Sequence, residues 1–290
     1  MISWRFHGEE LIAGSPAPDY WRAPTDNDFG NRMVERNIEW KKATREHDLI
    51  NFVVQPAGDH SSVRIETTYD LGPAKALSRL IYTVYADGGV DVEKILRPEN
   101  EDGPDIPRVG INLLLLPAFD QLTWFGRGPF ENYRDRNTAA FIGLYRSTAA
   151  EQLVPYIRPQ ENGNKTGVRW AALTNESGDG LMFVSHEEDG LEMTAMPYLT
   201  SDLDAREGYE YGPVRLEQKN IAFVKQQDLI RWNIDYGQRG VAGVNSWGAM
   251  PLEAHRLLPD REYRYSFSLV PLQNTTVEER VRISKRYMHE

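Results

Sequence analysis

The run Leu80-Ile81-Tyr82-Thr83-Val84-Tyr85-Ala86-Asp87-Gly88-Gly89-Val90-Asp91-Val92-Glu93-Lys94-Ile95 decides the fold class. Leu80, Tyr82 and Val84 recur at the two-residue period of a strand, and Val90, Val92 and Ile95 follow the break. Between them Asp87-Gly88-Gly89 supplies the positive φ that a tight turn needs, so the run predicts a β-hairpin. The same period extends outward. Val63, Ile65, Thr67 and Tyr69 line one face of a strand upstream. Downstream, Ile230, Trp232, Ile234 and Tyr236 alternate with Leu229, Arg231, Asn233 and Asp235, and Tyr263, Tyr265, Phe267 and Leu269 alternate near the end. Both downstream runs are expected to be half-buried antiparallel strands.

Helical signals are sparse. Asn31 to Leu49 has a loose helical spacing through Met33, Asn37 and Trp40, and Thr276 with Glu279 reads as a capping box. There is no internal repeat, low-complexity tract or Pro/Ser-rich linker to mark a boundary between independent domains. The expected architecture is all-β: one large antiparallel β-sandwich over residues 1–272 with few short helices, and a tail over 273–290 holding a short helix.

Composition narrows the function. Of 290 residues, 40% are hydrophobic and 26% charged, which excludes a disordered chain. Lysine and arginine number 33 against 43 aspartates and glutamates, a net charge of −10, so no nucleic-acid partner is expected. With no cysteine there is no disulfide, thiolate zinc site or cysteine nucleophile. The longest apolar run, Ile111 to Phe119, is broken by Asn112 and Pro117 and falls short of the roughly 20 residues of a membrane helix, so no membrane partner is expected. The first ten residues carry no apolar signal segment and read like the middle of a strand and turn. The chain is therefore expected to be a fragment, which leaves both a cytoplasmic and a periplasmic setting open. Its six histidines show no metal-ligand spacing, and no serine sits in a nucleophile elbow.

Four loop-like segments concentrate chemistry. In Trp21-Arg22-Ala23-Pro24-Thr25-Asp26-Asn27-Asp28-Phe29-Gly30, Asp26 and Asp28 can be metal ligands or a carboxylate pair. The structural reading, in which Asp26 and Asn27 make turn bonds and Arg22 pairs with a carboxylate, is preferred. Trp124 to Arg136 carries Arg127, Glu131, Asn132 and Asp135; its two glycines lack the third glycine and following helix of a dinucleotide loop, so a salt-bridged loop or an interface is expected. In Tyr156 to Asn164, Asn162-Gly163 signals a turn. Glu161 alone is weak evidence for glycosidase chemistry, since the retaining route needs two carboxyl groups about 5 Å apart. The fourth segment, Gly240-Val241-Ala242-Gly243-Val244-Asn245-Ser246-Trp247-Gly248, carries an indole on a glycine-punctuated loop. Trp247 either plugs the end of the sandwich or offers a flat apolar face to a sugar, with Asn245 and Ser246 as hydrogen-bonding neighbours. From the residues alone the first reading is slightly preferred.

Taken in this order, the segments resemble the C-terminal domain of the large bacterial β-galactosidases of glycoside hydrolase family 2, called the small chain when it is separate. Trp21 to Gly30 resembles the family's RAP-DND-G segment, Trp124 to Arg136 its W-G-GP-ENY-DR segment, Tyr156 to Gly163 its P-ENG segment, and Asn245-Ser246-Trp247 its SW loop. The resemblance runs from about Ser3 to Leu272. Here Gly248-Ala249-Met250 follows the tryptophan where the best-known members have serine-proline.

The resemblance implies a galactose-mutarotase-like supersandwich. It also implies that both catalytic glutamates, with the magnesium and sodium ligands, lie in or near a barrel upstream, so no catalytic residue, metal ligand or cofactor is expected here. Trp247 would reach the barrel's active-site mouth and stack on substrate, which reverses the weighting above. Arg22, Asp26, Asp28, Trp124, Arg127, Glu131, Asn132, Asp135, Glu161 and Asn162 would shape the sandwich and its contact with the barrel. The implied partners are that catalytic barrel and galactosides in a shared pocket, in a homo-oligomeric parent. The rival readings are an autonomous carbohydrate-binding module and an aldose-1-epimerase-like enzyme.

Overall fold

The computed structural model describes residues 1–204, 220–245 and 248–287. Among these, sixteen strands form three antiparallel sheets with few helices. A short ribbon of β1 (Arg5–Phe6) and β2 (Glu9–Glu10) precedes β3 (Ile12–Asp19). Next come three short helices, α1 (Asp26–Gly30), α2 (Met33–Arg36) and α3 (Ile38–Arg45). The helical spacing read over Asn31 to Leu49 is thus two helices, and Leu49 already belongs to a strand.

A meander follows, β4 (Asp48–Pro56), β5 (Ser62–Asp70), β6 (Ala76–Tyr85) and β7 (Val90–Pro98). The hairpin at Asp87-Gly88-Gly89 forms, pairing Val84 with Val90, Tyr82 with Val92 and Leu80 with Lys94. The chain continues through β8 (Arg108–Leu115), β9 (Gln121–Gly128), β10 (Phe141–Thr148), β11 (Lys165–Val168), β12 (Trp170–Thr174), β13 (Gly180–Ser185) and β14 (Leu191–Met196). After α4 (Thr200–Leu203), β15 (Ile230–Gln238) and β16 (Tyr263–Leu272), the described chain closes with α5 (Val277–Tyr287). Thr276 and Glu279 cap α5 reciprocally, at 2.8 and 3.3 Å.

Nine strands in the order β10-β9-β12-β13-β16-β7-β6-β5-β4 face five in the order β11-β14-β15-β8-β3. The core lies between them, where Trp232 of β15 meets Phe183 of β13 with ring centroids 5.5 Å apart. Tyr265 of β16 also crosses the gap, its hydroxyl donating to the Ile234 carbonyl at 2.9 Å.

The expectation of half-buried strands is corrected at β15. Arg231, Asn233 and Asp235 are as buried as the apolar residues between them. The reason is a second cover: the loops around residues 156–164 and 197–204 bond to the far face of the five-stranded sheet, and the stretch 20–37 bonds to Arg239 and Gly240 just past the end of β15. At the centre of the nine-stranded sheet α5 does the same with apolar contacts. Val281, Ile283 and Tyr287 pack on Trp170, Met182, Val184 and Val270. Strands β12 and β13 are therefore buried on both faces, which erases the two-residue period from their sequences.

Candidate functional site

The far face of the five-stranded sheet is built from the polar half of each alternation. In β8, Val109, Ile111, Leu113 and Leu115 enter the core, and Arg108 points the other way. Its guanidinium sits among three carboxylates: Asp19 at 3.2 Å, Glu161 at 3.3 Å and Asp235 at 3.5 Å. Burial opposes the Arg108 cation, but the three acids outweigh it and hold the group protonated. Asp235 has room only because its cross-strand partner is Gly110, where any Cβ would overlap the carboxylate. Burial pushes the Asp235 carboxyl well above its ordinary range, against the pull of Arg108.

A second cluster lies beside it. Arg22 grips both oxygens of Asp28 at 2.9 Å, and Arg239 reaches the same carboxylate at 2.8 Å. Asp28 also closes the capping box of α1, accepting from the Thr25 N–H at 3.0 Å. The other side of Arg239 meets Asp105 at 2.8 Å, which Arg256 also contacts at 2.8 Å. Burial works to raise Asp105, yet Arg239 and Arg256 hold its pKa at about 2.

A third set ties the remaining segments in. Glu131 accepts from the Gly163 N–H at 2.8 Å and from the Tyr156 hydroxyl, and pairs with Arg136. Gly163 has φ +79°, and a side chain there would strike Met196 and the Gln152 carbonyl. Asn132 and Asn164 exchange side-chain and backbone bonds at 2.8 and 2.9 Å. Asn162 accepts from the Val154 N–H at 3.3 Å and donates to the Gln160 carbonyl at 3.0 Å. Glu161 accepts from Gln238 at 3.2 Å, and Asp26 pairs with Arg158 at 2.8 Å on the surface. Asp26 and Asp28 are not a pair: one is exposed, the other wholly buried between two arginines. Trp124 is a core residue whose indole N–H donates to the Arg127 carbonyl at 3.0 Å, while Arg127 donates to the Ala140 carbonyl at 2.9 Å.

The first two segments also meet the root of the fourth. Arg22 donates to the carbonyls of Arg239 and Gly240, Asn27 to that of Val241 at 3.1 Å, and Asp135 accepts from the N–H groups of Val241 and Ala242. At the far end Gly248, φ +91°, lies against Gly30 so closely that a Cβ would run into the Gly30 carbonyl. Val244 and Asn245 stand exposed between these anchors, with Asn245 accepting from the Ala249 N–H at 3.3 Å. Ser246 and Trp247 lie outside the described residues.

Cavities of about 570 Å³ and about 270 Å³ open elsewhere, one beside Arg134 and Tyr236, the other beside Trp21 and Asn112. Neither is lined by residues of the loop. Among the described residues no group of three or more acidic or histidine side chains is arranged to hold a metal ion. No described helix is long and apolar enough to cross a membrane.

Sequence reasoning missed Arg108, Asp105, Arg239 and Asp235. The signal that could have found the strand members is the polar half of each alternation, Arg108 with Asn112 in β8 and Arg231 with Asp235 in β15.

The fold and these contacts define a β-sandwich domain whose buried ionic network braces one projecting loop. The chain belongs to the β-galactosidase small chain family, whose model matches residues 1–269. It is 38% identical over 272 residues to a β-galactosidase of Priestia megaterium, covering 94% of this chain and 25% of that protein. A β-galactosidase of Halalkalibacterium halodurans is 30% identical over 273 residues, with 93% and 25% covered. The chain thus spans about a quarter of the length of these curated relatives. A galactose mutarotase related enzyme from Lactobacillus acidophilus aligns with 93% of this chain and 89% of its own at a TM-score of 0.45 and 9% identity. The curated relatives do not favour a separate binding module or an epimerase.

Proposed function

We propose that this chain is the non-catalytic sandwich portion of a retaining β-galactosidase, an enzyme that hydrolyses terminal non-reducing β-D-galactose residues such as that of lactose. Its part is to present the loop 240–249, with Trp247, to the galactoside held by the catalytic barrel, and to brace that barrel. The catalytic glutamates and the magnesium and sodium sites belong to the barrel. The observation that supports the reading is the meeting of the first two family segments at the root of the fourth: Arg22, Asn27 and Asp135 bond to the backbone of residues 239–242, and Asp28 pairs with Arg239.

An indole offers a flat apolar face to the C–H side of a sugar ring, a contact on the scale of aromatic pairs, about 0.5–1.5 kcal/mol beyond area burial. The chain alone should show no turnover of a chromogenic β-galactoside. In the complete enzyme, Trp247→Ala should raise KM several-fold. Turnover by the purified chain, or unchanged kinetics in the variant, would refute the reading.

A further inference from the structure

We propose that Asp135 is the positioning residue of the loop 240–249, its carboxylate fixing the direction in which the chain leaves the sandwich toward Trp247. The proposal rests on the functional reading above for its consequence in catalysis, but on geometry alone for the loop itself.

Asp135 sits at a tight turn in which Tyr133 and Arg136 exchange backbone bonds at 3.1 and 2.7 Å. Its neighbours are engaged elsewhere, Arg134 with Glu192 and Arg136 with Glu131. The Asp135 carboxylate makes no ion pair among the described residues and bonds to backbone instead. Oδ1 accepts from the Val241 N–H at 3.1 Å and Oδ2 from the Ala242 N–H at 2.9 Å. Two successive N–H groups converging on one anion form a nest, and bonds to an ionised acceptor are roughly twice as strong as neutral ones.

Two further features belong to the same device. Ala242 has φ +64°, a left-handed conformation that a residue with a Cβ adopts at a cost and keeps only where its surroundings impose it. The carboxylate bonded to its own N–H holds that peptide from one side, and Asn27, donating to the Val241 carbonyl at 3.1 Å, holds it from the other. Gly240 lacks a side chain where one would collide with that carboxylate, so glycine at 240 and aspartate at 135 require each other. Upstream the backbone is already determined. The Arg239 N–H donates to the Pro107 carbonyl at 3.0 Å and that of Gly240 to the His255 carbonyl at 2.7 Å. Asp135 thus supplies the last directional constraint before Gly243, and beyond it the loop is exposed.

The test has two arms. In the 290-residue chain, amide hydrogen exchange is followed by NMR for Asp135→Ala and Asp135→Asn. At least tenfold faster exchange at Val241 and Ala242, with Trp232 and Ile234 unchanged, is expected. Unchanged exchange at 241 and 242, or equal loss throughout the chain in both variants, overturns the proposal. In the complete enzyme, Asp135→Ala should raise KM for a chromogenic galactoside at least fivefold while Trp247 is present, and add nothing once Trp247 is alanine. Additive effects of the two substitutions overturn the positioning role. If Trp247→Ala is silent while the exchange result holds, the functional reading fails and the loop anchor stands.

Discussion

Two faces of this sandwich are covered, and they are covered by opposite means. Over the nine-stranded sheet, α5 lays Val281, Ile283 and Tyr287 on Trp170, Met182 and Val184, a contact without direction. Over the five-stranded sheet, loops from three distant stretches are tied by Arg22, Arg108, Arg231 and Arg239 to acids and carbonyls. An apolar cover tolerates small shifts of the helix on the sheet. A cover of buried ion pairs does not, because each displaced partner leaves a charge stripped of water and unpaired. The face from which the loop 240–249 departs is covered in the second way.

The comparison can be broken by substitution. Arg108→Met removes the cation among Asp19, Glu161 and Asp235 and should cost about 3–5 kcal/mol, the range for breaking a buried ion pair, read by urea denaturation. A loss below about 1 kcal/mol would mean that the acids are already neutral. A smaller effect of opposite sign is expected at Lys94, which is wholly buried in the core and whose amine donates to the Tyr20 hydroxyl at 3.0 Å. Desolvation lowers its pKa from 10.5 to about 7, against the pull of Asp19 and Asp235. The unfolded chain then binds more protons than the folded one between those values. Stability should therefore rise with pH from about 7 to about 10.5, and the cost of the buried lysine is greatest below that window. Lys94→Met should stabilise the chain by about 1–4 kcal/mol at pH 6, the range for replacing buried charged groups by apolar ones, and abolish the rise. A pH profile unchanged by the substitution contradicts this. Smallest is Met182→Leu under α5, a volume-conserving swap expected to cost less than about 1.5 kcal/mol. It should leave amide exchange at Val241 untouched; a change there would couple the two covers.

The strands were legible where one face met the core and the other met water or polar groups. The hairpin at Asp87-Gly88-Gly89 and the alternation of β15 and β16 follow directly from their residues. β12 and β13 were not, because cover on both faces leaves Trp170 to Thr174 and Gly180 to Ser185 without a polar half. Lys94 shows the converse. The two-residue period through Val90 and Val92 points it inward, but an amine in a core contradicts the usual rule, and Ile95 is the natural residue to choose in its place. Only the Tyr20 hydroxyl and ring, with the ring centroid 4.5 Å from the amine, explain the site. In the candidate site, Arg22 pairing with a carboxylate was legible from composition. Which acid, and that Arg239 shares it from 211 residues away, was not.

The alternation of apolar and polar residues and the turn chemistry by themselves determined an antiparallel β-sandwich, since period and turn type are local properties of the chain. The order of the four segments was enough to suggest the family. Only the tertiary structure decided that Arg108, Asp235 and Arg239 are interior and that Arg22, Asn27 and Asp135 meet the backbone of residues 239–242. Burial of a charge depends on what covers it, and the covering loops come from parts of the chain that no local pattern connects.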